Sequence, residues 1–229
     1  MKKLCTSSIR TRITASSGLP ARTTASSGIS ARSLLSLGVL GILTLFAVSC
    51  GNGTPDSVKE AKKDNAQNTD GMSAKASVTD SNVVSKQDAA FMVDAASGGM
   101  MEVELGHLAQ TNANSQGIKD FGAMMITDHG KGGTELKSLA LAKGVTLPDS
   151  ISNDQKKKRD ELAKKTGKNF DKAYIDYMVA DHKEDISDFQ KAANNANDPD
   201  IKAWFSNHLP VLQHHLDQAQ LQQQRVKKI

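Results

Sequence analysis

Four stretches of the chain carry apolar residues at helical spacing, and each apolar stripe is interrupted by a titratable side chain. At about 100° per residue, Phe91, Ala95, Gly98, Leu105 and Ala109 fall within about 60° of Glu102, so this glutamate is central to the stripe of a helix over residues 89–109. A second helix is expected over 115–143, with Gly144 as its stop signal. Its stripe is Ile118, Phe121, Gly122, Met125, Gly132, Leu136, Leu139 and Ala140, with His129 in the middle and Asp128 at one edge. Over 170–195, Ile175, Met178, His182, Ile186, Phe189 and Ala193 alternate steps of three and four, and Asp181 flanks His182. The pair Asp198-Pro199 starts a last helix, on which Ile201, Trp204, Phe205, His208, Leu212, His215 and Ala219 share one face. Pro210 is expected to kink it and free a carbonyl near His208.

The segment Ser85-Lys86-Gln87-Asp88 reads as a capping-box start for the first long helix. A short, highly charged helix over 153–166, ending at Gly167, has too few apolar residues to form a principal wall and is read as a connector. Two short-looped pairs of long amphipathic helices joined by this connector predict an all-α fold, an antiparallel four-helix bundle with one short extra connecting helix, over residues 86–225. Glu102, His129, His182 and His215 lie about 12 to 18 residues from the turns near Asn114 and Asn197, so they sit at similar heights in such a bundle.

The first third of the chain has a different pattern. An apolar run over residues 34–48, too short for a comfortable membrane span, follows Arg32 and ends at Ser49-Cys50-Gly51. The sequence Ala47-Val48-Ser49-Cys50 resembles the bacterial lipobox, in which the cysteine is lipidated; an ordinary signal peptide is the alternative. Residues 1–49 are therefore read as a lipoprotein-type signal peptide with a low-complexity leader, in which the segments 12–21 and 22–31 repeat one another. Cys50 would be the lipidated residue, and Gly51 after it resembles the outer-membrane sorting pattern. Residues 50–85, rich in polar residues and without an aromatic, are expected to form a flexible tether from the lipid. The expected location is the bacterial cell envelope, at the outer membrane facing the periplasm.

Charge changes this picture by removing a partner class. The 229-residue chain carries a formal charge of +4, but Lys2, Lys3, Arg10, Arg12, Arg22 and Arg32 precede Cys50 with no acid among them, and the rest is slightly acidic. The basic run from Lys156 to Arg159 is interleaved with Asp154, Asp160 and Glu161, so it reads as a solvated face, and nucleic acid is set aside as a partner. The membrane, through the N-terminal lipid, is the one partner expected. Cys5 and Cys50 both fall outside the helical region, which excludes a thiolate metal site there.

What remains as candidate chemistry is the set of polar residues on apolar stripes. Glu102, His129, His182 and His215 are ligand types for iron, zinc or copper, since neutral imidazole and carboxylate bind these ions without cysteine. Asp128, Asp181 and His208 are candidates for supporting or rim positions. A hydrogen-bonded Glu/His network in a structural or interaction module of the envelope is the alternative use of the same residues. Glu104 and His107 spell a Glu-x-x-His pattern, but they project to the side opposite Glu102 and are expected to face solvent. Met92, Met100, Met101, Met124, Met125 and Met178 are read as core filler. No phosphate loop, nucleophile elbow or Cys/His dyad is visible, so the reading leans away from an enzyme.

The ordered segments GGMMEVELGHLA, FGAMMITDH, LAKGVTLP, FDKAYIDYMVADH and LPVLQHHLDQA, spread over about residues 86–221, resemble the bacterial domain-of-unknown-function family 4142. The resemblance implies a ferritin-like helical bundle and an envelope location. It matches the family's glutamates to Glu102 and Glu104, its Asp-His pairs to Asp128-His129 and Asp181-His182, and its last histidine to His215, while His107 and His208 fall outside the pattern.

Overall fold

Short turns and one long return path set the topology. The computed structural model describes residues 55–73 and 84–228, which form α1 (Ser57–Ser73), α2 (Lys86–Asn112), α3 (Gln116–Lys143), α4 (Asn153–Ala163), α5 (Gly167–Asn195) and α6 (Pro199–Val226). Helices α2 and α3 form one tight hairpin and α5 and α6 the other; α2 also packs on α5, and α3 on α6. The chain between α3 and α5 runs back along the bundle and carries α4, which lies on α2 and α5. One long crossover between two hairpins is the ferritin-like arrangement of an antiparallel four-helix bundle. No helix among the described residues is long and apolar enough to cross a membrane.

The helix ends follow from local chemistry. Ser85 caps α2 by accepting from the Asp88 N–H, and Gly144 ends α3 in the left-handed region at φ 65°. The expected capping box at Ser85 does not close, because the Asp88 carboxylate is used elsewhere: it accepts from the backbone N–H groups of Asn197 and Asp198 in the α5–α6 turn. Asp171, near the start of α5, does the same for Asn114 and Ser115 in the α2–α3 turn. The two hairpins thus tie each other's turns in equivalent ways. α5 begins at Gly167 and α4 ends at Ala163, so Gly167, expected as a stop, instead opens the next helix.

The expected tether is corrected over Ser57–Ser73, which is the helix α1. Its few apolar residues suffice because they are small and aligned: Val58 and Ala61 bury against Val93 of α2. Hydrogen bonds supply the rest. Asn65 exchanges two with the backbone of Thr146, Ser57 donates to Asp149, and Asp56 accepts from the N–H groups of Val58, Lys59 and Asn153. α1 therefore pins the start of the crossover. It also explains why α2 buries Ala89, Met92 and Val93 outside the predicted stripe, since α2 is covered on more than one side. The signal peptide, the leader and Cys50 lie outside the described residues.

Two apolar clusters fill the bundle. One contains Met101, Leu105, Ile118, Phe121, Met125, Tyr174 and Met178; the other contains Met92, Leu136, Ala192, Ile201 and Phe205. The buried methionines are core residues of these clusters, as expected. Between the clusters, the helices carry Glu102, His129, His182 and His215.

Candidate metal centre

Each helix of the bundle delivers one polar side chain to the seam between the clusters. Glu102 is 2% exposed, and His182 and His215 are fully buried, while His129 is 11% exposed at its side chain. The ring centroids of His129, His182 and His215 are 5.1 to 5.9 Å apart, and one nitrogen of each ring lies within 4.8 Å of one from each of the others. A small inward movement brings such nitrogens to the metal–nitrogen distance of about 2.0–2.1 Å.

The other nitrogen of each ring is already held. His182 Nδ1 lies 3.0 Å from the carbonyl of Met178; a carbonyl only accepts, so Nδ1 carries the proton and Nε2 keeps its lone pair. His215 Nε2 donates to the Asp128 carboxylate at 2.9 Å, which leaves Nδ1 free. His129 Nδ1 meets Glu102 Oε2 at 2.8 Å. The remaining nitrogens, His129 Nε2, His182 Nε2 and His215 Nδ1, are buried and have no hydrogen-bond partner among the described residues. One oriented and one unpartnered nitrogen on each of three adjacent imidazoles is the pattern of ligands fixed by a supporting shell.

Burial also sets the protonation states. It lowers His129 and His215 to about 4 and His182 to about 3, with the Asp128 hydrogen bond opposing the shift at His215 and the neighbouring imidazoles adding to it at His182. All three are neutral at pH 7 and able to coordinate. Burial raises the Glu102 carboxyl well above the usual carboxylate range, and the charge of Asp181 adds to the effect. The His129–Glu102 contact is at ion-pair distance, but burial disfavours the charged form of both partners, which gives it the character of a hydrogen bond more than of an ion pair. Burial pushes Asp181 up to about 6 and raises Asp185 well above its ordinary value.

The structure brings together all four stripe residues, with Glu102 supporting His129 and lying outside the imidazole triangle. Asp128 orients His215, and Asp181 lies on the other side of Glu102, where it meets the Tyr177 hydroxyl. His208 stands apart: Nδ1 bonds the Trp204 carbonyl at 2.8 Å, and Nε2 is 3.4 Å from Glu135. It lines the same cavity, of about 1050 Å³, that opens onto Asp128, His129 and His215 beside Gly99, Gly132 and Gly133. Glu104 pairs with Arg159 of α4 and His107 is exposed, so that pair stays outside the site as expected. Sequence reasoning missed Asp185. The signal was present: three residues after His182, Asp185 lies about 60° from it on the same helical face.

Two opposed pH dependences follow for the metal-free protein. The imidazoles, lowered from 6.5, stabilise the fold above that pH and lose the contribution as pH falls toward 4 and 3. The carboxyls, raised from 3.8 and 4.5, stabilise it below those values and lose the contribution as pH rises, through about 6 for Asp181, with the raised Glu102 and Asp185 acting in the same direction. The metal-free Tm is expected to peak between about pH 5 and 6.5. A bound cation favours ionised carboxylates and neutral imidazoles, and so moves the peak to higher pH. Melting curves from acid to alkaline buffer, with and without Cu2+, measure this; a metal-free optimum on the alkaline side contradicts it.

Comparison with known proteins agrees with this architecture. A solved structure described as CopM in the Cu(II)-bound form shares the fold, with a TM-score of 0.52 and 15% sequence identity, covering 60% of this chain and 96% of that one. No curated protein sequence matches the chain. The sequence profile of the domain of unknown function DUF4142 matches residues 73–221. That span takes in α2, α3, α5 and most of α6, with every residue of the histidine site, and the chain belongs to the DUF4142 family.

Proposed function

We propose that this protein is a lipid-anchored component of the bacterial envelope whose bundle holds a transition-metal ion through His129, His182 and His215, for storage, buffering or protection under metal stress. The observation that carries the reading is the set of three buried imidazole nitrogens without partners, each on a ring oriented through its other nitrogen. A polar network serving the fold alone is expected to satisfy its buried members, because each unsatisfied group costs roughly 1–3 kcal/mol. Imidazole donors suit copper, zinc and iron. That the CopM structure is of a Cu(II)-bound form makes Cu2+ the first ion to try.

The test is equilibrium dialysis of the protein against Cu2+, Zn2+ and Fe2+, read together with the melting temperature. An ion at 100 times its Kd adds about 2.7 kcal/mol to stability. For a chain of this size that raises Tm by roughly 5–10 °C. Absence of uptake with all three ions, and a Tm indifferent to chelator, refutes the reading and leaves the structural module.

The anchor is supported by the apolar run before Cys50 and the Ala47-Val48-Ser49-Cys50 segment. Cys50→Ser is expected to release the protein from the membrane fraction; retention there shows that another feature holds it.

A further inference from the structure

A second group of potential ligands lies beside the histidine triangle and is not used by it. Ligand atoms of Glu102, Asp181, His182 and Asp185 also lie within 4.8 Å of one another. Proximity of acids alone does not make a site, but two of these groups each keep a buried oxygen that no nitrogen donor satisfies. Glu102, 2% exposed, uses Oε2 for His129, while Oε1 has no hydrogen-bond partner and lies 3.3 Å from His182 Nε2 without hydrogen-bond alignment. Asp185 Oδ2 is likewise buried and has no nitrogen donor, its carboxyl facing that of Glu102. The Glu102 and Asp185 carboxyls lie within hydrogen-bond reach of each other, so a shared proton can hold them together in the metal-free protein. Once ionised they repel in an apolar seam, and a cation between them takes the place of that proton.

The convergence is built into the two-hairpin plan. Glu102 follows Asp88 by the same number of residues as Asp185 follows Asp171, and these two aspartates hold equivalent turns. Glu102 and Asp185 are therefore equivalent positions on the adjacent helices α2 and α5. The small residues Gly98 and Gly99 leave α2 low at this point: a Cβ on Gly98 would meet Asp185 Oδ1 at 3.9 Å, and one on Gly99 would meet His129 Nδ1 at 3.9 Å. Asp185 also lines a separate cleft of about 220 Å³ with Asp94, Asp188 and Phe91.

We propose that Glu102, Asp181, Asp185 and His182 form a second cation site, adjacent to the three-histidine site, for a hard divalent ion of the Mn2+ type. Three carboxylates with one imidazole favour such an ion over copper, whereas three imidazoles favour copper. The two sites share His182 Nε2, which can serve one ion at a time. Loading the histidines with Cu2+ therefore weakens Mn2+ binding, and the reverse holds by the same factor.

The experiment is a Mn2+ titration of the full chain followed by electron paramagnetic resonance, alongside a Cu2+ titration, for the unmutated protein and for Asp185→Asn, Asp181→Asn and His215→Ala. The expected result is Mn2+ binding that weakens at least about 10-fold in both aspartate variants and less than about twofold in His215→Ala, with the opposite pattern for Cu2+. The near-isosteric Asp→Asn changes are accepted only where the circular dichroism spectrum is retained, and the two aspartates provide independent trials. No Mn2+ binding by the unmutated protein overturns the proposal. So does Mn2+ binding left unchanged by both aspartate substitutions, an equal loss in His215→Ala, or, where the protein binds both ions, Mn2+ affinity undiminished by Cu2+. Mn2+ binding without uptake of Cu2+, Zn2+ or Fe2+ supports this site and refutes the histidine reading, so the two fail separately.

Discussion

Replacing His182 by alanine is expected to weaken Cu2+ binding by at least about 100-fold and to abolish the metal-dependent rise in Tm. Changes to residues that merely orient a ligand cost 10–100-fold in metal affinity, and removal of a ligand lies at or above that range. His182 is the ring most exclusively committed to coordination: it is fully buried, its Nδ1–H is held by the Met178 carbonyl, and its Nε2 has no partner. Asp128→Ala, which frees His215 to rotate, should weaken binding by about 10–100-fold while all three imidazoles remain. The decisive readout is the difference between metal-loaded and metal-free melting. If the histidines serve only a structural network, His182→Ala lowers Tm equally in both conditions; if they bind metal, the gap between the two curves closes.

The largest effect on the metal-free fold is expected at the two buried aspartates that tie the hairpins together. Asp88 is fully buried and accepts from Asn197 N–H at 3.0 Å and Asp198 N–H at 2.8 Å; Asp171, 3% exposed, accepts from Asn114 and Ser115 N–H groups at 2.9 Å each. Hydrogen bonds to charged groups contribute about 1.5–3 kcal/mol each, and alanine also leaves the donors unsatisfied. Each Asp→Ala change should therefore destabilise by about 3–5 kcal/mol, lowering Tm by roughly 10 °C or more. Because the two sites lie at opposite ends of α2, the double variant should show nearly the sum of the single effects. Urea unfolding of the three variants measures this, and a loss under about 1 kcal/mol in either single variant would show that water replaces the carboxylate without penalty.

Much of this architecture could be read directly from residue order. The spacing of Ile118, Phe121, Met125 and Leu136, or of Ile175 and Met178, follows the helical period because each long helix meets the core along one continuous strip, and those residues are buried. The same periodicity put Glu102, His129, His182 and His215 in the interior and left His107 outside, since it depends only on position along a single helix. Asp198, Ser85 and Gly144 marked helix ends because capping is local chemistry.

Wherever a role depends on a second helix, the sequence pattern fell short. The polar composition of α1 predicts a tether, whereas its burial depends on where Val93, Thr146 and Asp149 lie in the folded bundle. Asp88 looked like half of its own helix's capping box, and it instead caps a turn 109 and 110 residues away. Asp185 has no place in the apolar series of its helix, and only the approach of α5 to α2 sets it against Glu102. By itself, the sequence determined the helices, the bundle and which polar side chains turn inward, because periodicity and capping act within a few residues. Only the tertiary structure decided that Glu102 supports His129, that Asp128 supports His215, and that three imidazole nitrogens are left free together. Hydrogen-bond pairing and desolvation are properties of contacts between helices, which no single helix's register contains.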